Sequence, residues 1–179
     1  MSRSRFTAAM VRSAAWSTSS AVVKRPRLKR MKYLEHEGWE VTVLGVDQQG
    51  HVDLDALRAA LRPDTVLVSI MHGHNEIGTL HPIAAIGALC HEKGVLFHTD
   101  ATQTLGKEPV NVETMHVDLL SASGHKIYGP KGVGILYVRR RNPRVRLEPL
   151  FHGGGHERGV RSGTLNVPGI VGFARALQL

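Results

Sequence analysis

The chain has little cysteine: one residue, Cys90, in 179. A lone thiol excludes an internal disulfide and fits a reducing compartment. Long apolar runs are absent too. No stretch approaches the ~20 apolar residues that a bilayer-crossing helix needs, so a soluble protein is expected, and the 42% apolar content is ordinary for one. Acidic residues are missing from one end. No Asp or Glu precedes Glu35, whereas nine of the 23 Lys and Arg do: Arg3, Arg5, Arg12, Lys24, Arg25, Arg27, Lys29, Arg30 and Lys32. From Glu35 onward 14 basic residues face 15 acidic ones, a net of −1, so the overall +8 belongs to the leader. Charge confined in this way argues against a body-wide nucleic-acid surface. A nucleic-acid partner resting on the basic tail alone stays as a minor alternative. There is no His-Glu-x-x-His helix, and the histidine pairs His72/His74 and His152/His156 make poor zinc ligands, the second being separated by glycines. Gly129-Pro130-Lys131-Gly132 lacks the spacing of a nucleotide phosphate loop. Internal repeats are absent.

What is present divides at residue 27. Residues 1–27 are rich in Arg and Ser, free of acid and interspersed with Phe6, Met10, Val11 and Trp16. That is the composition of an organelle transit peptide, with a disordered basic tail as the plain alternative and a mis-joined or truncated reading frame as a third. A mitochondrial location is therefore expected, or failing that a cytoplasmic one. Residues 28–179 read as one α/β domain. Leu28, Met31 and Leu34 recur at helical spacing before Gly38. Trp39 to Val46 alternates like a strand, and Asp53 caps a helix bearing Leu54, Leu57 and Leu61 that Pro63 halts. Thr65–Met71 is a continuous apolar run, as in a strand covered on both faces. Pro82 and Gly94 frame a helix whose Ile83, Ile86 and Cys90 share one face, which makes Cys90 a structural thiol. Val133–Val138 reads as a further strand. Arg139-Arg140-Arg141-Asn142-Pro143-Arg144 reads as a solvated basic turn, and Pro168 opens a last helix. Alternating strand and helix patterns predict a largely parallel sheet.

Chemistry gathers at the ends of two short strands. Val95-Leu96-Phe97 leads into His98-Thr99-Asp100 and then Gln103; Val117-Asp118-Leu119-Leu120 leads into Ser121-Ala122-Ser123-Gly124-His125-Lys126. Parallel sheets bind ligands beyond the carboxyl ends of their strands, so Asp100 and Lys126 are expected on one rim. A lysine that forms a Schiff base and a carboxylate that keeps a pyridine nitrogen protonated are what pyridoxal 5′-phosphate requires. Lys126, after an apolar strand and a small-residue turn, is expected in a protected setting.

The motifs His98-Thr99-Asp100-Ala101-Thr102-Gln103 and Ser123-Gly124-His125-Lys126-Ile127-Tyr128-Gly129-Pro130-Lys131-Gly132 resemble the core of the cysteine desulfurases, fold-type I enzymes of the class V aminotransferase group. Asn75-Glu76-Ile77-Gly78, Gly153-Gly154-Gly155-His156-Glu157-Arg158-Gly159 and Arg161-Ser162-Gly163-Thr164 match in the same order. The resemblance runs from about Leu28 to the end, in a family with much longer members, and implies a partial fold-type I large domain. It also implies Lys126 as the catalytic lysine and Asp100 as partner of the ring nitrogen. Asn75 and Gln103 would face the ring oxygen, Ser123, Gly124 and His125 the phosphate, and Thr164 the phosphate of a neighbouring subunit, hence a homodimer. The implied reaction takes sulfur from L-cysteine onto an enzyme cysteine, releases alanine and serves iron–sulfur cluster assembly, with a scaffold protein as possible acceptor. By the same resemblance the nucleophilic cysteine belongs to a loop past Leu179, and the family's N-terminal phosphate loop has no counterpart. His74 stands where an asparagine is usual, Thr102 where an alanine is, and Lys24-Arg25-Pro26 where a ring-stacking histidine is. An inactive truncated fragment of the fold, or a class V enzyme acting on another amino acid, are the alternatives.

Overall fold

The computed structural model describes Met10–Val11 and residues 33–179. The leader assignment for residues 1–27, apart from Met10–Val11, and the helical positions Leu28 and Met31 lie outside the described residues. Residues 33–36 form a helical turn closed by Gly38, whose φ of 87° lets the Trp39 amide donate back to the Leu34 carbonyl at 2.9 Å.

Four strands form the central sheet: β3 (Leu67–Met71), β4 (Leu96–Asp100), β5 (Leu119–Ser123) and β6 (Gly134–Val138), in that order. The β3–β4 and β4–β5 ladders are parallel, while β6 returns antiparallel along β5. The sheet is thus largely parallel with one antiparallel edge. Apart from it, Met10–Val11 (β1) pairs in parallel with Val43–Leu44 (β2). Only those two residues of the alternating Trp39–Val46 stretch form a strand. The chain then enters an Asp47-centred loop, where the Gln49 and His51 amides donate to the Asp47 carboxylate, a side-chain-held turn of the kind that ends a strand.

The helices follow their caps. Asp53 accepts from the Asp55 amide to start α1 (Leu54–Ala60). Helix α2 (Ile83–Glu92) begins directly after Pro82, which stands at the cap position rather than in the first turn. Asn166 accepts from the Gly169 amide to start α3 (Val167–Ala176), with Pro168 in its first turn. One face of the sheet, carrying Val68, Ile70, Phe97, Leu120 and Ala122, packs on Leu57 of α1 and on Ile83, Ile86, Leu89 and Cys90 of α2. Period-two alternation sends Ser69, His98, Asp100, Ser121 and Ser123 to the other face, where they are half-buried.

Arg139 overturns the reading of its segment as solvated. It is buried, and its guanidinium reaches Asp118 Oδ1 at 3.1 Å, Glu113 Oε2 at 2.8 Å and the carbonyls of Val112 and Val117. Asp118 in turn accepts from the Phe97 amide at 2.9 Å. Arg140, Arg141 and Arg144 do remain exposed. Removing one member of a buried ion pair strands the other, at a cost of about 3–5 kcal/mol. Arg139→Met is therefore expected to lower unfolding free energy in urea by about that amount, whereas Arg141→Met stays within about 0.5 kcal/mol of the parent.

His81 is 3% exposed, and neither ring nitrogen finds a hydrogen-bond partner among the described residues. Burial, with His51, His74 and His72 nearby, pushes its pKa down from 6.5 to about 4. Between those values the unfolded chain binds the proton that the folded one refuses, so stability falls as pH drops through this window. The expected loss attributable to His81 approaches about 3 kcal/mol. Urea titrations at pH 7 and pH 4 should find that slope reduced in His81→Leu.

Candidate functional site

The parallel pairing of β4 with β5 decides the geometry of the rim. Asp100 is the last residue of β4 and stands opposite Ser121 of β5. Both strands run further than their apolar cores suggest, through Asp100 and Ser123. The Ala101 amide donates to the Ser121 carbonyl at 2.9 Å, and the His72 amide, just past β3, donates to the Asp100 carbonyl at 2.9 Å. The backbone of Asp100 is thereby held from both sides. Its carboxylate accepts from the Thr102 amide at 2.9 Å and stays half-buried.

Beyond β5 the chain makes one tight helical turn, Gly124–Lys126. Ser123 Oγ lies 2.7 Å from His125 Nδ1, so a hydroxyl and an imidazole stand together at the start of the turn. Lys126 is exposed. The protected setting expected for it is therefore not supplied by the described residues. Asn75 lies on the loop that follows β3, is exposed, and belongs to a compact turn closed by Gly78 N donating to the His74 carbonyl. Gln103 is half-buried, with its Cβ against Gly73 of that same loop. Thr104 Oγ1, 2.9 Å from His72 Nδ1, ties the turn after β4 to the end of β3.

Asn75, Asp100, Gln103, Ser123, Gly124, His125 and Lys126 thus all follow or end neighbouring parallel strands and share the carboxyl-end rim. Thr164 is different. It sits in the exposed segment before α3, and no hydrogen bond among the described residues links it to the others. The donor set on the rim suits a pyridoxal phosphate in kind: an amine, a carboxylate, two side-chain amides, and a hydroxyl beside an imidazole.

The sequence reading missed a polar ladder behind the rim. His98 is hydrogen-bonded through Nδ1 to Ser69 Oγ at 2.7 Å and through Nε2 to Ser121 Oγ at 3.1 Å, spanning three strands. A neutral imidazole has one donor and one acceptor nitrogen, so one serine accepts from the ring and the other donates to it. The signal was legible as alternation, since His98 shares a face with Asp100, and Ser121 with Ser123. Among the described residues no group of three His, Cys, Asp or Glu could hold a metal ion, and no helix is long and apolar enough to cross a membrane.

Residues 28–179 match the aminotransferase class-V family model. The chain belongs to that family. Over 152 residues it is 60% identical to cysteine desulfurase IscS of Anaeromyxobacter dehalogenans (strain 2CP-C), covering 85% of this chain and 37% of that protein. Against cysteine desulfurase IscS of Haemophilus influenzae (strain PittEE) the identity is 58% over the same shares. Among solved structures, a NifS-like protein superposes with a TM-score of 0.84 at 43% identity, over 98% of this chain and 45% of that one. SspA in complex with cysteine gives 0.83 at 40% identity, over 96% of this chain and 47% of that one. The fold is accordingly part of a fold-type I domain, and the chain spans 37% of the length of these curated relatives.

Cys90 is wholly buried, and burial pushes its thiol pKa up to about 12. The thiolate is the nucleophile, so iodoacetamide at pH 8 should leave Cys90 unmodified in the folded chain. Mass spectrometry should find it alkylated only once urea has unfolded the protein.

Proposed function

We propose that this chain is part of a pyridoxal-phosphate cysteine desulfurase, which takes sulfur from L-cysteine and releases alanine. The observation that carries the reading is the arrival of Asp100 and Lys126 at one rim from adjacent parallel strands. Bound there, the cofactor supplies an electron sink for an amino acid. Lys126 would hold the cofactor through its aldehyde, and, once the substrate amine had displaced it, its free amine would hold or move the proton at the substrate Cα. Asp100, whose carbonyl accepts from the His72 amide while the next amide, of Ala101, donates to Ser121, would hold a proton on the ring nitrogen. The amides of Asn75 and Gln103 orient the ring oxygen, and Ser123, Gly124 and His125 bind the phosphate.

Thr164 fits a phosphate contact made to a second copy of the chain, and a homodimer follows from that role. The exposed apolar side chains Leu150, Phe151, Val167 and Val171 in the same stretch support it. The accepting thiol is not Cys90, whose burial excludes attack on a substrate sulfur. Delivery of the sulfur to a scaffold protein for iron–sulfur cluster assembly belongs to this proposal, as does a mitochondrial location, which the acid-free leader favours over a cytoplasmic one. The inaccessibility of Cys90 also favours a second reading, in which the 179 residues hold the cofactor without turnover.

The test is to purify the chain with pyridoxal 5′-phosphate. A visible absorption band is expected, which borohydride fixes as a mass increment on Lys126 and which Lys126→Ala abolishes. L-cysteine should give no more alanine than the Lys126→Ala control, for want of a reactive thiol. No band, or one that survives Lys126→Ala, overturns the cofactor reading.

A further inference from the structure

The lysine turn is pinned at both flanks by one helix. At the near flank, Gly124 lies under Phe173 of α3, which is 3% exposed. A Cβ on Gly124 would stand 3.2 Å from the Phe173 ring and 3.2 Å from Val133. At the far flank, a Cβ on Gly172 of α3 would stand 2.7 Å from Pro130 Cγ and 3.2 Å from Pro130 Cδ, so the proline ring rests directly on the helix backbone. Between the flanks Ile127 is buried, and the amides of Ile127 and Gly129 both donate to the Gly124 carbonyl, at 3.1 and 2.9 Å. Tyr128, exposed and at φ 65°, takes a left-handed conformation uncommon for a non-glycine residue, between the two flanks that α3 touches. Lys126 itself is exposed. Its place follows from the backbone of its turn, which α3 touches at Gly124 and at Pro130.

We infer that α3 acts as the clamp that positions Lys126, with Gly172 and Phe173 as positioning residues. The inference rests on the reading of Lys126 as the amine that binds the cofactor, and deepens it. An error of about 1 Å in a reacting group can cost on the order of a hundredfold in rate, so a helix shifted by a methyl group has room to matter. Gly172 has no side chain because the Pro130 ring fills the space where one would begin.

The experiment is a rescue pair with a control. Gly172→Ala drives its methyl into the Pro130 ring, and Pro130→Ala removes the two ring atoms it meets. Ala174→Gly weakens the same helix from an exposed position without touching the turn. Two readouts are taken at a temperature where circular dichroism finds every variant folded. Without cofactor, amide hydrogen exchange at Ile127 and Gly129 is expected to rise at least tenfold in Gly172→Ala. With cofactor, the concentration of pyridoxal 5′-phosphate giving half the visible band is expected to rise about tenfold in that variant. Both are expected to return to within about twofold of Pro130→Ala in the double variant, and Ala174→Gly to move neither. Unchanged values in Gly172→Ala, equal effects from Ala174→Gly, or no recovery in the double variant overturn the clamp. A wild-type chain with no band at all overturns the Lys126 reading as well, and is seen before any α3 variant is made.

Discussion

The arrangement of the rim depends on the carboxylate of Asp118. It sits at the entrance to β5, 7% exposed, and joins three segments at once. One oxygen accepts from the Phe97 amide of β4 at 2.9 Å, and the other meets the Arg139 guanidinium at 3.1 Å, just past β6. Its own backbone donates to the Phe97 carbonyl and accepts from the Arg139 amide. A one-residue slip between strands would turn every side chain to the opposite face. By holding β4 and β6 to the start of β5, this knot fixes the register in which Asp100 stands opposite Ser121. Buried ion pairs are poor evidence of net stability but well suited to fixing register. Three more of the guanidinium N–H groups donate to Glu113 and to the Val112 and Val117 carbonyls.

The elements of the chain were legible where local chemistry and burial agree. The Asp53 cap and the apolar stripe of α2 formed as their patterns imply, and the Thr65–Met71 run formed a strand from Leu67 on, with one face buried and the other half-buried rather than both covered. The delivery of the two strand ends to one side was legible too, because parallel neighbours leave their carboxyl ends together by necessity. Illegible were features decided by distant partners. Arg139 looks like its exposed neighbours Arg140 and Arg141, and only Asp118 and Glu113, more than twenty residues away, draw it inside. Trp39–Val46 alternates like a longer strand, yet only Val43–Leu44 finds a partner strand among the described residues, and the chain then turns at Asp47, whose carboxylate accepts from the Gln49 and His51 amides. Lys126 follows an apolar strand and is nevertheless exposed, because the turn after β5 faces outward at the rim.

The two faces of the sheet differ in kind, and the difference separates stability from chemistry. The face toward α1 and α2 is closed, with Phe97, Val68 and Leu57 fully buried and Cys90 sealed among them. That density explains why the lone thiol is inert. The opposite face carries a row of groups that can exchange hydrogen bonds, from Ser69 through His98 and Ser121 to Asp100 and Ser123. A row of this kind needs every member partnered if it is to be ordered. Here His98 supplies that by linking a serine on each side, so the strands that carry Asp100 and Ser123 are joined through side chains as well as through the backbone.

Precision at the rim then comes from two different sources. Asp100 ends a strand and inherits its place from the sheet, through ladders on both sides. Lys126 is past the end of β5, where no ladder continues, and an unsupported loop there would wander. The contacts that replace the ladder are steric: Phe173 against Gly124, Gly172 against Pro130, and Gly129 folded so close that a Cβ would stand 2.8 Å from the Gly124 carbonyl oxygen. Each requires a glycine on one side, which is why this short stretch of sequence is dense in them. A carboxylate placed by hydrogen bonds and an amine placed by packing should respond differently to change. The first depends on partners that can be exchanged one at a time, the second on shapes that must fit together.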